Sequence, residues 1–448
     1  MSKSKLISSQ IIRRPQVFRT CSSNLTIAAD YNHNATSNVV DGCNQVIQTT
    51  SPDTGISTVV YDQAGNLTRQ NFADASWDAF QYDALNRMTH RSVRASSGVP
   101  NGGSAFTYRY DETLTNGVVN LGIGRLTQVW LDGPLPPNAN RWYQYFYDAR
   151  GNLLKEIVQP VAGAGTFATN YSYNLADNFT QLIHDNGRIL NYAYDVMGHV
   201  STVTTQANAS AAAVTLASSI AYQPFGAMKS EALGNGVTQS ATFDLDERIT
   251  QINAGTVMTR AYAYDTRDLI TSNGVRSFGY DAVGRLTHAQ PSIGPATDYT
   301  YDSNGNRLTL TFGAYSENYA YNPQSNRLYQ VAVNNNGTPS TRTITLNPRG
   351  ETTLDSNLFS ATALIGDDFQ FNRTGALASP GKYDTLTVNE QFNHLHQRIE
   401  DARTLTLNSQ ITNVFRDQLY DPSGQLIGEY STNDARFGWC KANRNGWN

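Results

Sequence analysis

The sequence predicts an all-β protein, built as a tandem array of β-hairpins laid side by side in a long ribbon. Three observations predict it. The stretch YDQAGNLTRQ from Tyr61 returns as YDALNRMTHR at Tyr82, YDARGNLLKE at Tyr147, YDAVGRLTHA at Tyr280 and YDPSGQLIGE at Tyr420. The residues leading into each pair alternate with a period of two. The chain is also rich in Tyr (25) and Gly (34) but only 16% charged, a balance that favours strands and turns over helices and a folded over a disordered chain.

Aligned on the residue before the turn, the repeat starts at Tyr61, Tyr82, Tyr110, Tyr147, Tyr173, Tyr194, Tyr222, Phe243, Tyr264, Tyr280, Tyr301, Tyr321, Leu346, Phe371, Phe392 and Tyr420, which predicts sixteen hairpins. Nine of these carry a strict Tyr-Asp pair, where chance placement would give only about one or two, so the repeat is real. Neighbouring starts are often 21 residues apart, as from Tyr61 to Tyr82, and longer gaps such as Tyr110 to Tyr147 read as loop insertions.

Each unit has the same parts. In the incoming strand Tyr192 and Tyr194 share one face and Ala193 takes the other. The next residue, Asp62, Asp83, Asp148, Asp195, Asp265, Asp281, Asp302 or Asp421, can accept a backbone N–H two residues on and so start a turn. Gly65, Gly151, Gly198, Gly284, Gly305 and Gly424 stand where a tight turn needs positive φ. An apolar residue then opens the outgoing strand six positions after the aromatic, as at Leu67, Leu153, Leu286 and Leu426. Three units place that residue at seven positions instead: Leu308, Leu328 and Ile399. A short loop between alternating strands is a β-hairpin. The residues named here, with Tyr61, Tyr82, Tyr147, Tyr194, Tyr264, Tyr280, Tyr301 and Tyr420, form the expected structural framework.

The remaining features exclude more than they propose. The net charge of −4 and pI near 6.0 do not make a nucleic-acid groove. The most apolar stretch, residues 209–222, is too short and too rich in Ser and Thr to span a bilayer, and no signal peptide is visible at the N-terminus. Three cysteines do not suggest a disulfide framework; Cys21–Cys43 is the pairing an oxidising compartment would allow. Each turn offers one carboxylate, so its Asp reads as a turn former rather than a calcium ligand. His394 and His396 would share a face if extended, but two ligands do not make a metal site. No nucleophile elbow, phosphate loop or Cys-His arrangement is present in the sequence, and neither catalytic residue nor cofactor is expected.

The repeated Tyr-Asp-x-x-Gly-x-Leu unit resembles the YD repeat of the Rhs family, which includes bacterial Rhs polymorphic toxins, wall-associated proteins, toxin-complex shell components and the teneurins. The resemblance covers about residues 59–430. It implies that the ribbon is a segment of a hollow, spiralling β-shell, with the β-propeller as the alternative repeat architecture. It divides the chain into a non-repeat segment (1–55), the array (56–430) and a non-repeat tail (431–448). The implied function is non-catalytic: a shell segment of the kind that encapsulates a secreted toxin or forms a cell-surface ectodomain, read here as a truncated remnant. The implied partners are the remainder of a longer shell or its toxin cargo, in a secreted or cell-surface location, without nucleic acid or membrane insertion. DPSG at Asp421–Gly424 is similar to the family's self-cleavage motif, but its repeat spacing assigns it to an ordinary turn, and residues 425–448 are not expected to form a toxin domain. The alternative function is carbohydrate binding through the tyrosine rows, a use to which aromatic faces are suited.

Overall fold

The computed structural model describes residues 17–19, 25–94, 103–115, 118–132, 141–159, 165–355, 359–361, 373–374, 385–392, 398–407, 410–420 and 426–432. Within them the protein is all-β: strands of about the usual length follow one another, and each pairs antiparallel with the next. The sheets are long meanders, not closed into a barrel or a propeller. No helix of the described residues is long and apolar enough to cross a membrane. The chain divides into two compact units, Met1–Trp77 with Thr297–Asn357, and Asp78–Ala296 with Leu358–Asn448.

The first unit holds two runs of ribbon. One passes through Leu25–Ala29, Ala35–Val40, Val46–Ser51, Gly55–Tyr61 and Leu67–Asn71, each strand paired with its successor. The other passes through Thr297–Tyr301, Arg307–Phe312, Tyr315–Tyr321, Leu328–Asn335, Thr338–Leu346 and Thr352–Asp355 in the same manner. A meander puts alternate turns on opposite edges. The Tyr-Asp turns therefore line one edge of each run, and the connecting turns line the other.

The second unit carries the longer run, which is paired continuously from Met88–Arg94 to Met258–Ala261. Its core is a row across four strands: Phe106, Val129, Tyr143 and Val158 are buried, with Tyr108, Leu126 and Tyr145 packed against them. Val129 faces Tyr108 on one side and Tyr143 on the other, and Tyr143 faces Val158. Burying such side chains contributes about 1.5–3 kcal/mol each. One residue out of phase, Gln128 and Gln144 are cross-strand partners and are also buried. Nearby, Arg91 and Asp78 form a buried ion pair at 3.0 Å.

The insertion expected between Tyr110 and Tyr147 begins inside the turn itself. Asp111 N–H still donates to Arg125 O at 3.2 Å, closing the hairpin around residues 112–124, which include a two-residue ladder of Leu114–Thr115 with Val118–Val119. From this excursion the fully buried Asn120 donates Nδ2 to Tyr145 O at 2.8 Å and accepts Tyr147 N–H at 3.1 Å. An amide side chain thus serves as a backbone partner for its neighbour strand.

Two expected spacings are corrected. The partner of Tyr301 is Arg307, and the partner of Phe392 is Arg398; both lie at six positions rather than at Leu308 and Ile399. The turn sets this register whatever the polarity of the next residue, and Leu308 is left partly exposed. Leu328 does pair with Tyr321 at seven positions, because its turn holds one more residue and closes from Asn322 N–H to Arg327 O.

Candidate functional site

The repeated feature of the molecule is the Tyr-Asp turn, and its geometry starts from the Asp. Asp62 N–H donates to Asn66 O at 2.9 Å, and Gly65 N–H donates back to Asp62 O at 3.1 Å. The Asp62 Oδ1 accepts the N–H groups of Ala64 and Asn66, both at 2.9 Å. One carboxylate thus satisfies two backbone donors that the turn leaves without ladder partners. The side chain and backbone of Asn66 hold the Asp62 carboxyl below its ordinary value. The same closure recurs at Asp83, Asp148, Asp195, Asp265, Asp281 and Asp302. The third residue after the Asp or Asn that heads the turn takes positive φ: Gly65, Gly151, Gly198, Gly284 and Gly305 in five turns, Asn86, Asp177, Glu247 and Asp268 in four others.

Tyr61, Tyr82, Tyr147, Tyr194, Tyr264, Tyr280, Tyr301 and Tyr420 are each the last residue of a strand. Leu67, Leu153, Leu286 and Leu426 open the outgoing strands and pair with the tyrosines of their own units. At every such pair the register slips by one, a bulge that interrupts the ladder beside the turn. Asp421, Gly424, His394, His396 and Cys21 lie outside the described residues. Cys43 is a free, exposed thiol.

Sequence reasoning missed what the tyrosine hydroxyl does. Tyr147 donates its hydroxyl to Leu126 O at 2.7 Å, and Leu126 is the residue that pairs with Tyr110 in the preceding hairpin. Tyr61 does the same to Val46 O, Tyr110 to Met88 O, Tyr222 to Val200 O, Tyr264 to Ile249 O, Tyr280 to Ile270 O and Tyr321 to Arg307 O, at 2.7–3.2 Å. Tyr194 reaches Phe179 O in the same way. Val46, Leu126, Phe179, Val200, Ile249, Ile270 and Arg307 each lie beside a bulge, and the donor belongs to the next hairpin. The hydroxyl therefore ties neighbours together where the ladder is weakest. Burial pushes the Tyr147 phenol up to about 12. The recurrence of Tyr over Phe was the available sign, since cross-strand packing alone asks only for an aromatic ring.

Arg and Asn residues extend this bonding from turn to turn along the Tyr-Asp edge. Arg87 bonds its own Asp83 at 2.7 Å and the next Asp111 at 2.6 Å, and its guanidinium lies 4.5 Å from the Tyr110 ring centre. Arg248 similarly holds Asp244 and Asp268 and lies over Tyr264. Arg150 and Asn152 reach Asp177 at 2.6 and 2.7 Å. The Arg87 guanidinium, with the Gly124 N–H, lowers the Asp111 carboxyl to about 2.

In the first unit the two runs meet edge on edge. Asn304 Nδ2 donates to Asp30 Oδ2 at 2.6 Å, Asn32 Nδ2 to Asp302 Oδ2 at 2.7 Å, and Asn326 N–H to Asp53 Oδ1 at 2.6 Å. Arg327 Nε donates to Asp53 O at 2.7 Å. The connecting-turn edge of the first run, at Asp30–Asn34 and Ser51–Gly55, thus packs on the Tyr-Asp edge of the second. Asp30 and Asn34, like Asp41 and Gln45, close the repeat's own turn within the stretch that the sequence alignment leaves outside the array.

The acidic and polar side chains named above are engaged in holding turns and edges. Among the described residues no group of three His, Cys, Asp or Glu side chains is placed to hold a metal ion.

No family model matches the chain. Among curated proteins it is similar to the tRNA nuclease WapA of Bacillus subtilis, with 26% identity over 171 residues, covering 38% of this chain and 6% of that protein. The tRNA3(Ser)-specific nuclease WapA of Bacillus spizizenii matches with the same identity and coverage. Among solved structures a similar fold occurs in the crystal structure of TcdB2-TccC3-TEV, with a TM-score of 0.56 and 13% identity, over 93% of this chain and 23% of that one. TcdB2-TccC3 without its hypervariable C-terminal region gives a TM-score of 0.50 at 13% identity, over 92% and 24%. These structural likenesses are of fold alone, and the chain spans a small part of each of these four proteins.

Proposed function

We propose that this chain, an Rhs/YD-repeat protein by its repeat, its fold and its relatives, is a wall segment of a larger β-shell and carries no catalytic centre of its own. The supporting observation is the hydroxyl tie. The most conspicuous side chain of the sequence is spent in eight places on bonding a hairpin to the one before it, and the turn carboxylates on closing the chain back on itself. Residues so used make a wide, self-supporting sheet. The further parts of the reading are that the wall belongs to a longer shell enclosing toxin cargo, that the protein works outside the cell or at its surface, and that the chain is a remnant of a longer shell.

The nuclease relatives supply the sharpest test. Incubation of the purified chain with total tRNA should leave the tRNA intact. Cleavage that co-purifies with the chain and survives repeated preparation would overturn the non-catalytic reading. A glycan array addresses the alternative of a carbohydrate-binding adhesin: a wall segment should show no selective binding, and saturable binding lost on Tyr→Ala substitution would favour the adhesin.

A further inference from the structure

Along the Tyr-Asp edge of the second unit most turn tips carry an exposed apolar residue, with Arg150 and Arg267 at two of the turns between them. Leu85, Leu175, Val196, Met197, Leu245 and Val283 stand one or two residues after the residue that heads their turns, and their relative exposure runs from 71% to 103%. The equivalent tips in the first unit are Gln63 and Ala64, Ser303 and Asn304, and Pro323 and Gln324. Turns normally take polar residues, Gly or Pro at their tips. A row of aliphatic tips on one edge is therefore not explained by hairpin formation, since a tip side chain packs against nothing in its own hairpin. Exposed apolar rows of this kind mark an interaction surface.

The first unit shows what such an edge receives. There the Tyr-Asp edge at 302–306 and 322–327 is covered by the connecting-turn edge of another run of the same ribbon, through Asp30, Asp53 and their partners. The connecting-turn edge of the second unit has apolar tips of its own. Val257 is 77% exposed and Ile293 is 90% exposed, and both lie in the stretch that carries Leu245 and Val283 on the opposite edge. Both halves of an edge-to-edge contact are thus present on one stretch of ribbon, in apolar rather than polar form.

We propose that copies of this chain associate head to tail, with the Tyr-Asp edge of one second unit docking on the connecting-turn edge of the next copy's second unit. A shift along the strand direction, with a step of one strand across the sheet, sets Leu245 and Val283 of one copy opposite Val257 and Ile293 of another. This contact is heterologous, so each copy keeps one free edge of each kind and association continues beyond the dimer. It stands on the tips themselves and does not depend on the shell reading.

The test uses the whole chain and two double variants, Leu245→Asp with Val283→Asp, and Val257→Asp with Ile293→Asp. All four positions are exposed, so circular dichroism should show both variants folded. In sedimentation velocity the wild type should form a ladder of species that grows with concentration, between about 1 and 100 μM. Either variant alone should need at least about tenfold more protein to associate. Mixed together, the two variants should form a dimer and stop there, because only one intact edge of each kind remains. A wild type that stays monomeric throughout overturns the proposal. So does a variant that associates like the wild type, or a mixture that fails to dimerise.

Discussion

At the scale of the residue, two side chains do most of the work, and each is open to a single-atom test. Tyr147→Phe keeps the ring and removes only the donor to Leu126 O. It should cost about 1–3 kcal/mol in urea unfolding, since a partly buried carbonyl loses its partner. A loss no greater than that of an exposed Tyr→Phe control would deny the hydroxyl its role. Asp111 is one of the turn carboxylates that make stability depend on pH. Its folded carboxyl takes up a proton only near pH 2, held down by Arg87, whereas an unfolded Asp does so near pH 3.9. Its contribution to stability is therefore complete above about pH 4 and disappears as the pH falls through about 2. Asp111→Asn should be less stable than the wild type at pH 7, and the two should converge as the pH approaches 2. A difference that persists unchanged at low pH would place the effect elsewhere. The Asp part of this was legible, because a short carboxylate before a Gly-bearing loop has few other uses. The hydroxyl part was not, because its acceptor sits in the preceding hairpin and no local pattern names it.

At the scale of the element, the unit is the closed turn rather than the Tyr-Asp pair. His184–Arg188 and Leu233–Val237 close with the same two backbone bonds, around Gly187 and Gly236 at positive φ, although neither turn has a tyrosine before it. An aligned aromatic finds one edge of a meander and passes over the other. The sign that would have found these turns is Asn-Gly, at Asn186–Gly187 and Asn235–Gly236, a strong hairpin dipeptide. The turn also explains why Gly can be absent. Asn86, Asp177 and Asp268 tolerate the left-handed region, but Glu247 at φ 64° has no such ease. Glu247→Gly should therefore raise the stability of its hairpin by about 1 kcal/mol, read as a shift in the urea midpoint at constant slope. A midpoint that falls would mean that the glutamate makes contacts outweighing its backbone cost. Register obeys the turn as well: Arg307, not Leu308, faces Tyr301 because loop length, not hydrophobicity, counts the residues.

At the scale of the molecule, the first unit rests on a polar seam between two runs more than 250 residues apart in sequence, bridged by Asn326 between Asp30 at 2.7 Å and Asp53 at 3.1 Å. Asn326→Asp would set a third carboxylate against two others and should loosen the seam, read as faster amide exchange at 30–34 and 51–55 without change in the core strands of the second unit. Exchange that stays at the wild-type rate would mean that the seam contributes little. Gly350→Ala probes the same seam by volume. An added Cβ would stand 2.5 Å from Asp53 O at a backbone φ of 86°, so both the approach and the conformation require Gly. It should cost about 1–3 kcal/mol in the first unit, by the strain of an L-residue in that region and the displaced carbonyl.

The sequence by itself determined the all-β class, the hairpin and its turn, because these rest on contacts within about 20 residues, where period-two alternation, Asp and Gly act directly on the backbone. It also determined the register of most Tyr-Asp hairpins through the six-residue count from Tyr to the outgoing strand. Only the tertiary structure decided which carbonyl each tyrosine hydroxyl reaches, that Asn120 folds back as a strand partner, and that Asp30 and Asp53 meet Asn304 and Asn326. Those contacts join residues from different hairpins or from distant runs. An Asp that closes its own turn and an Asp that also holds a distant one have the same sequence signature, and only the folding of the ribbon against itself tells them apart.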